Sequence, residues 1–291
     1  MKLSNEKKRS LTGWAFLLPA VLLIFVMSFS SIAQAFGMSL KTGTGNDLVW
    51  TGLSNYARIP QDPTLKTTVA NTLVYLLQIP VMLGLALLYA QLLNSKYVKH
   101  PAVYRVLLFL PCATASVSYS LVFRILFASD GFVNTLLLRL GVLETGFNFF
   151  GHAWSARLVI LLAMVWRWTG YNMVFLSAAM QSIDASVYEA ATIDGANGFQ
   201  RYFRITLPLL RPTLVLLTIM TLSGTIQLFD ESVNLTGGGP ANGTLSISHY
   251  VYNLAFKYTP NFGYATALSF VIFVVIAVLT AIQMKVGDKR E

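Results

Sequence analysis

The sequence is poor in charged residues. Of its 291 residues, only 11% are Asp, Glu, Lys or Arg and 55% are hydrophobic, whereas soluble domains average roughly 25% charged residues. Several apolar stretches reach the ~20 residues that a helix needs to cross a bilayer. The composition therefore excludes an ordinary soluble domain and predicts a membrane protein.

Other features that the sequence lacks exclude whole classes of function. The single cysteine, Cys112, excludes an intramolecular disulfide and gives no information on the redox compartment. No Gly-x-x-x-x-Gly-Lys-Ser/Thr phosphate loop is present, so the chain is not expected to hydrolyse ATP itself. The three histidines are widely separated and predict no metal cluster. We therefore expect no cofactor in this chain.

The apolar stretches predict six membrane-spanning helices. Their expected ranges are Gly13–Phe36, Val69–Leu93, Val106–Phe127, Leu158–Ala179, Leu214–Phe229 and Ala265–Met284. The basic start could open a signal peptide, but the apolar run that follows exceeds the ~7–15 residues of a signal core, which favours an uncleaved span. The resulting division is a tail at 1–12, a transmembrane domain at 13–284 and a tail at 285–291.

None of the twelve acidic residues falls in the middle of a predicted span. Ion-coupled carriers commonly hold a carboxylate within the membrane, so the pattern argues against a secondary carrier. A membrane enzyme is also disfavoured, because the only adjacent acidic pair, Asp230 and Glu231, has no partner base in the sequence around it. If the chain belongs to a pump, the energy must enter through a partner.

The basic residues predict the orientation of the chain. With the N-terminus inside, thirteen fall in cytoplasmic pieces and six in outer pieces. Cytoplasmic pieces of membrane proteins carry the excess of Lys and Arg, so both termini are expected in the cytoplasm. The same bias accounts for the net charge of +9 without a nucleic-acid partner.

The predicted cytoplasmic loop at 182–211 reads as two short helices joined by a bend. Ser186 and Glu189 have the spacing of a capping box, and Gly195 is suited to end the first helix in a left-handed conformation. Asn197 is expected to cap the second helix, which Leu207-Pro208 is expected to stop. From these residues alone, an amphipathic helix in the lipid head groups is as good an interpretation as a docking element.

The spacing within this loop resembles the EAA loop of ABC importer permeases. Glu189-Ala190-Ala191, Gly195, Ile205 and Leu207-Pro208 meet its fixed positions. The resemblance implies that the loop is a coupling helix that docks in a cleft of an ATPase subunit. It implies an ionic contact for Glu189, a bend at Gly195, and coupling roles for Ala190, Ala191, Asp194, Ala196 and Phe199.

Further segments resemble the sugar-type permeases, in particular the larger membrane subunit of maltose transporters. They are Gly52-Leu-Ser-Asn-Tyr56, Asn71-Thr72, Leu92-Leu93-Asn94, Tyr104-Arg105, Leu110-Pro111 and Thr236-Gly-Gly-Gly-Pro240. The chain lacks the extra N-terminal spans and the large outer domain of that subunit. A permease for amino acids or phosphate is the nearest alternative, and the Thr-Gly-Gly-Gly-Pro segment and aromatic fourth span favour sugar.

This resemblance implies an all-α fold of six transmembrane helices, the type I importer permease, in a bacterial plasma (inner) membrane. The implied partners are a second homologous permease, two ATPase subunits that hold ATP and Mg, and an extracytoplasmic substrate-binding protein. The lipid bilayer surrounds the assembly, and no nucleic acid is involved.

Spans four and five are expected to line the substrate pathway. Aromatic rings and hydrogen-bonding groups recognise sugars in partly dry cavities. The candidate residues are Trp166, Arg167, Trp168, Tyr171, Asn172, Thr221, Thr225, Gln227 and Asp230. Trp166 and Trp168 lie two residues apart and cannot both face the pathway. For Arg167, contact with an acidic sugar and a structural pair with Asp230 or Glu231 are the two interpretations, and the pair is preferred.

Overall fold

A computed structural model describes residues 5–43, 48–95 and 97–288. The chain divides into two compact units, one formed by 1–61 and 251–273 and the other by 62–250 and 274–291. Residues 1–4 and 289–291 of the expected tails lie outside the described residues. Helix α1 already begins at Asn5, so no break marks the expected boundary at residue 12.

Helices dominate the described chain. They are α1 (Asn5–Ile24), α2 (Ser30–Ser39), α3 (Ser54–Arg58), α4 (Pro63–Tyr75), α5 (Gln78–Leu93), α6 (Pro101–Ala113), α7 (Ser116–Leu126), α8 (Phe132–Arg139), α9 (Ala153–Gln181), α10 (Ala185–Ile193), α11 (Gly198–Arg201), α12 (Leu207–Leu209), α13 (Arg211–Ile226), α14 (Ile247–Tyr252) and α15 (Phe262–Asp288). Short π-helical segments lie at Phe25–Phe29, Tyr202–Thr206, Ser232–Thr236 and Asn253–Lys257, and a 3-10 turn lies at Ile59–Gln61. Strands β1 (Lys41–Thr42) and β2 (Val49–Trp50) pair antiparallel.

Four helical stretches are long and apolar enough to cross a membrane without a sharp bend. They are Thr12–Ser39, Pro63–Leu93, Ala153–Gln181 and Phe262–Lys285. Two further pairs of consecutive helices are long and apolar enough when the two helices of a pair are counted together, but each pair is bent. Pro101–Ala113 meets Ser116–Leu126 at 96°, and Gly198–Leu209 meets Arg211–Ile226 at 62°. Counting each pair as one span gives six, in agreement with the sequence. The third expected span, Val106–Phe127, is broken within its length. The fifth expected span, Leu214–Phe229, begins beyond the corner, and the first helix of that bent pair belongs to the loop at 182–211.

Proline and extended backbone explain where these helices break. Pro111 lies near the end of α6 and cannot donate to the preceding turn, and Thr114 and Ala115 then adopt extended ψ values of 137° and 140°. Pro212 stands in the first turn of α13, directly after the corner at Leu210. A proline is well tolerated at a helix start but not within a continuous helix, so α13 begins as a new helix after this corner.

In the first unit, polar side chains hold the segments around the short β-pair. Asn55 donates from Nδ2 to the carbonyls of Ser39 and Lys41, at 2.8 Å each. Gly263, at the start of α15, has no room for a side chain, because a Cβ there would lie 1.9 Å from the Lys41 carbonyl oxygen. The guanidinium of Arg58 lies 4.5 Å from the ring centroid of the fully buried Tyr264.

In the second unit, α9 is the central helix and packs against α5 and α6. Met82, Ala86 and Ala90 of α5 are fully buried with Met173 and Leu176 of α9 in one apolar cluster. Small residues bring the backbones close together, as in many membrane helix pairs. Such packing holds α9 and its polar side chains in a fixed position.

Candidate functional site

A cavity of about 580 Å³ opens in the second unit between α9 and α13. Its wall combines aromatic, amide, hydroxyl and charged side chains. The lining residues are Gln78, Met164, Arg167, Trp168, Tyr171, Asn172, Met220, Thr221, Gly224, Thr225, Gln227, Leu228, Phe229, Asp230 and Glu231. The volume lies within the ~300–1,000 Å³ range of small-molecule sites.

The structure brings eight of the nine candidate pathway residues to this cavity. Trp166 is the exception, since it is 46% exposed and its ring lies 5.5 Å from that of Phe123, between centroids. Trp168 lines the cavity together with Tyr171, and their rings meet edge to face at 5.8 Å. The geometry thus separates the two tryptophans, and a contact between any of the eight residues and a substrate stays a prediction.

Arg167 is held in a buried network. Its Nη1 lies 3.3 Å from Oε1 of Glu231 and donates to the hydroxyl of Tyr119 at 3.2 Å. That hydroxyl donates to the same Glu231 oxygen at 2.5 Å. The guanidinium carbon also lies 4.7 Å from the Tyr119 ring centroid and 5.0 Å from that of Trp168. Of the two interpretations of Arg167, the structure supports the pair and identifies its partner as Glu231.

Two residues of this site escaped the sequence analysis. Tyr119, on α7, is 1% exposed and closes the network with Arg167 and Glu231. Gln78, at the start of α5, donates from Nε2 to Oγ1 of Thr225 at 2.9 Å, while its buried Oε1 has no hydrogen-bond partner among the described residues. The one sequence signal for Gln78 is that it is an amide within an apolar span, two residues before Pro80.

The loop at 182–211 forms a helical hairpin whose bend is closed by glycine. Gly195 has a φ of +77°, its N–H donates to the Thr192 carbonyl at 3.1 Å, and the next N–H, of Ala196, donates to Ala191 at 2.9 Å. These two bonds are those of a Schellman motif, which satisfies the last carbonyls of a helix. The bend expected at Gly195 is therefore confirmed.

Side chains tie the two arms of the hairpin together. The hydroxyls of Tyr188 and Thr206 lie 3.0 Å apart, and Arg201 donates from Nη1 to Oγ1 of Thr192 at 2.9 Å. Asn197 and Gln200 form a complete capping box at the start of α11, which confirms the cap expected at Asn197.

Other expectations for this loop need correction. Asp184, not Ser186, caps α10, and the N–H of Ser186 donates to its carboxylate at 2.9 Å. This bond lowers the pKa of Asp184 because it favours the charged form. Pro208 does not end the second helix, since the π-helical turn at Tyr202–Thr206 runs into α12 and the corner follows at Leu210.

The coupling candidates differ in their exposure. Glu189, Ala190, Asp194, Gly195 and Phe199 are exposed. Ala191 is 8% exposed, so its side chain is covered by this chain and is not available to a partner cleft as the resemblance implies. Ala196 is half-buried. Three apolar side chains of the loop are also exposed, namely Ile193 at 87%, Phe199 at 71% and Phe203 at 47%. The rings of Phe199 and Phe203 lie 4.4 Å apart, between centroids.

The Thr236-Gly-Gly-Gly-Pro240 segment belongs to a tightly bonded loop. Asn71 donates to the carbonyls of Asn242 and Leu245, at 2.9 Å each, and Arg157 donates from Nε to that of Gly243 at 2.6 Å. Gly237 and Gly238 have φ values of +62° and +84°, which only glycine adopts freely. The hydrogen bonds from Asn71 and Arg157 to the loop carbonyls hold the loop in this conformation.

The described residues contain no group of three or more His, Cys, Asp or Glu side chains placed to hold a metal ion.

Comparison with known proteins gives consistent results. Residues 82–290 match the model of the family described as "Binding-protein-dependent transport system inner membrane component". The lactose transport system permease protein LacF of Rhizobium radiobacter is 40% identical over 99% of this chain and 98% of its own length. The arabinooligosaccharides transport system permease protein AraP of Halalkalibacterium halodurans is 34% identical over 91% and 84% of the two chains.

A more distant relative and a solved structure complete the comparison. The trehalose/maltose transport system permease protein MalF of Thermococcus litoralis is 31% identical over 96% of this chain and 94% of its own. The fold matches a chain in the crystal structure of a bacterial ABC transporter involved in the import of the acidic polysaccharide alginate. That match has a TM-score of 0.85, covers 98% of both chains and has 23% identity, so it shows the fold.

The matched family segment covers well over half of the chain, and the relatives align along nearly all of it. The helical spans and the all-α fold agree with that assignment. The chain belongs to the family of binding-protein-dependent transport system inner membrane components.

Proposed function

We propose that this chain is one membrane subunit of an ATP-driven ABC importer for a sugar or oligosaccharide. The observation that carries the proposal is the wall of the cavity, where the rings of Trp168 and Tyr171 stand beside Asn172, Thr221 and Gln227. Aromatic faces pack on the apolar faces of sugar rings, and amide and hydroxyl groups bond to sugar hydroxyls.

The names of the relatives support a sugar substrate. LacF, AraP and MalF are described as permeases for lactose, arabinooligosaccharides and trehalose/maltose. Lactose is therefore the first probe for this chain. The alternatives are another small solute and an ion-coupled carrier, and transport measurements separate them.

The loop at 182–211 is proposed as the contact with an ATPase subunit. Glu189 is exposed and its carboxylate has no hydrogen bond within the described chain, because Asp184 caps the helix instead. A carboxylate left free in this way is available for charge-assisted bonds to a partner. Ile193, four residues further along the same helix, adds exposed apolar surface on that face. Phe199 and Phe203 add exposed apolar surface on the second arm of the hairpin. Asp194, Gly195 and Ala190 complete the exposed tip, with Ala191 and Ala196 supporting it from within.

The assembly we propose pairs this chain with a second permease, two ATPase subunits and an extracytoplasmic binding protein. The two permeases each supply half of the pathway, and ATP binding drives the coupling loops together. The domain limits of 13–284, with short tails on either side, remain part of this proposal.

The chain is further proposed to lie in the bacterial plasma membrane with both termini in the cytoplasm. The excess of Lys and Arg in the N-terminal tail, the loops at 94–105 and 182–211 and the C-terminal tail supports this orientation.

Reconstituted vesicles test the function. With ATPase, partner permease and binding protein present, lactose uptake should require ATP and should persist with an ionophore. Glu189→Ala should weaken ATPase docking by about 1.5–3 kcal/mol, the range for bonds to charged groups, and should lower substrate-stimulated ATP hydrolysis.

Glu144→Ala is the matched control, because Glu144 is an exposed carboxylate outside the coupling loop. Uptake that collapses with an ionophore while ATP is plentiful would restore the secondary-carrier hypothesis. Equal losses in the two variants would show that Glu189 has no special role in docking.

A further inference from the structure

The cavity wall carries three charged side chains, Arg167, Asp230 and Glu231. One of them is a cation and two are carboxylates, so their formal charges add up to −1. Whether that negative charge faces a substrate depends on which groups are already neutralised within the protein.

Arg167 is not available as a receptor for an anion. Glu231 lies 3.3 Å from its Nη1, and the side chains of the two residues are 13% and 5% exposed. Its Nε is buried and has no hydrogen-bond partner in the described chain, so solvent and solutes do not reach it there. The rings of Tyr119 and Trp168 cover the guanidinium. The positive charge is compensated and shielded.

Asp230 is in the opposite situation. It is exposed and lines the same cavity, and its carboxylate makes no ion pair or hydrogen bond with the described residues. Its neighbour Glu231 is 4% exposed and committed to Arg167. Asp230 therefore leaves one uncompensated negative charge at the surface of the cavity.

On this basis we propose that Asp230 is a specificity-determining residue that selects neutral sugars and rejects sugar acids in this half of the pathway. The proposal rests on the sugar-transport function proposed above. A carboxylate of a uronic or aldonic acid entering the cavity meets a like charge, which costs free energy unless the charge is paired. A neutral sugar meets a hydrogen-bond acceptor beside Trp168 and Tyr171.

A measurement of charge within the cavity tests the proposal without ATP or transport. The assembled complex carries Cys112→Ser and a reporter, Thr221→Cys, on the cavity wall. The rates of modification by a cationic and an anionic methanethiosulfonate of similar size are compared. The ratio is normalised to that of Ser54→Cys, an exposed position outside both the cavity and the loop at 182–211.

The normalised ratio should favour the cationic reagent by about threefold or more, since one unit charge several ångströms away acts oppositely on the two reagents. Asp230→Asn should bring the ratio close to one. Asp130→Asn, which removes an exposed carboxylate that does not line the cavity, should leave the ratio unchanged. A ratio at or below one, no effect of Asp230→Asn, or no reaction with either reagent would overturn the proposal.

Protection of the same reporter extends the test to sugars. Lactose should protect the Thr221→Cys thiol from N-ethylmaleimide at a concentration at least threefold lower than the concentration of lactobionate, the aldonic acid of lactose, that gives equal protection. Asp230→Asn should bring the two protecting concentrations closer together. Better protection by lactobionate would contradict the proposal. Protection by neither sugar, with the charge ratio intact, would count against the sugar-transport function while supporting the assigned charge of the cavity.

Discussion

The ion pair between Arg167 and Glu231 predicts a large non-additive effect on stability. At the 3.3 Å between Nη1 and Oε1, the attraction of two unit charges amounts to about 5 kcal/mol at an effective dielectric constant of ~20. Burial of both groups offsets much of that attraction. Removing one partner leaves the other charge buried and unpaired, which costs about 3–5 kcal/mol.

Three variants examine this pair, namely Arg167→Met, Glu231→Gln and the double variant. Each single change should destabilise the purified complex by about 3 kcal/mol or more, whereas the double change should cost much less than the sum, since no unpaired charge remains. Tyr119→Phe should cost about 1.5–3 kcal/mol, the range for a hydrogen bond to a charged group.

Denaturant unfolding of the detergent-solubilised complex, followed by tryptophan fluorescence, provides the free energies. Additive losses in the double variant would refute the reasoning, because they would mean that the two side chains do not stabilise each other. Lactose uptake by the double variant then separates stability from transport.

Three other variants or sets of variants make independent predictions. Gly170→Ala should destabilise the protein by about 3 kcal/mol, because a Cβ there would lie 1.7 Å from the Leu108 carbonyl oxygen of α6. Gly84→Ala is the control, since a Cβ at residue 84 meets no atom within 4 Å, and it should leave the free energy of unfolding unchanged in the same assay. Gly195→Val should abolish co-purification of the ATPase while Gly195→Asn retains part of it, since Asn tolerates the left-handed φ of +77°; equal co-purification would contradict the role of the bend. Single cysteines at Glu144 and Ser186, in a Cys112→Ser background, should be labelled from outside whole cells only at 144, and the reverse pattern would overturn the proposed orientation.

Much of the membrane architecture follows from local sequence patterns. The length of an apolar stretch is fixed by the thickness of the bilayer, so the straight spans are visible in sequence. The Gly195 bend was also accessible, because its left-handed conformation is a local backbone requirement. The helix corner at Thr114 was missed, since prolines within membrane helices are compatible with both straight and broken spans. The corner at Leu210 lies two residues beyond the expected stop at Pro208.

The candidate site was accessible only in part. Residues of α9 and α13 were found because polar groups are rare in apolar helices, so each one stands out. Their partners were harder to find, because Tyr119 lies 112 residues from Glu231 and Gln78 lies 147 from Thr225. Such long-range contacts depend on how helices pack, which no local pattern encodes. The burial of Ala191 was hidden for the same reason.

The hydrogen bonds between the two arms of the hairpin at 182–211 make the hairpin rigid. Tyr188 is tied to Thr206 and Thr192 to Arg201, while the Schellman motif closes the tip. We therefore expect that a displacement of Glu189 or Phe199 moves the loop as one body rather than stretching it. The proposed coupling would then act at the 62° corner at Leu210, beyond which α13 carries Thr221 and Thr225 on the cavity wall.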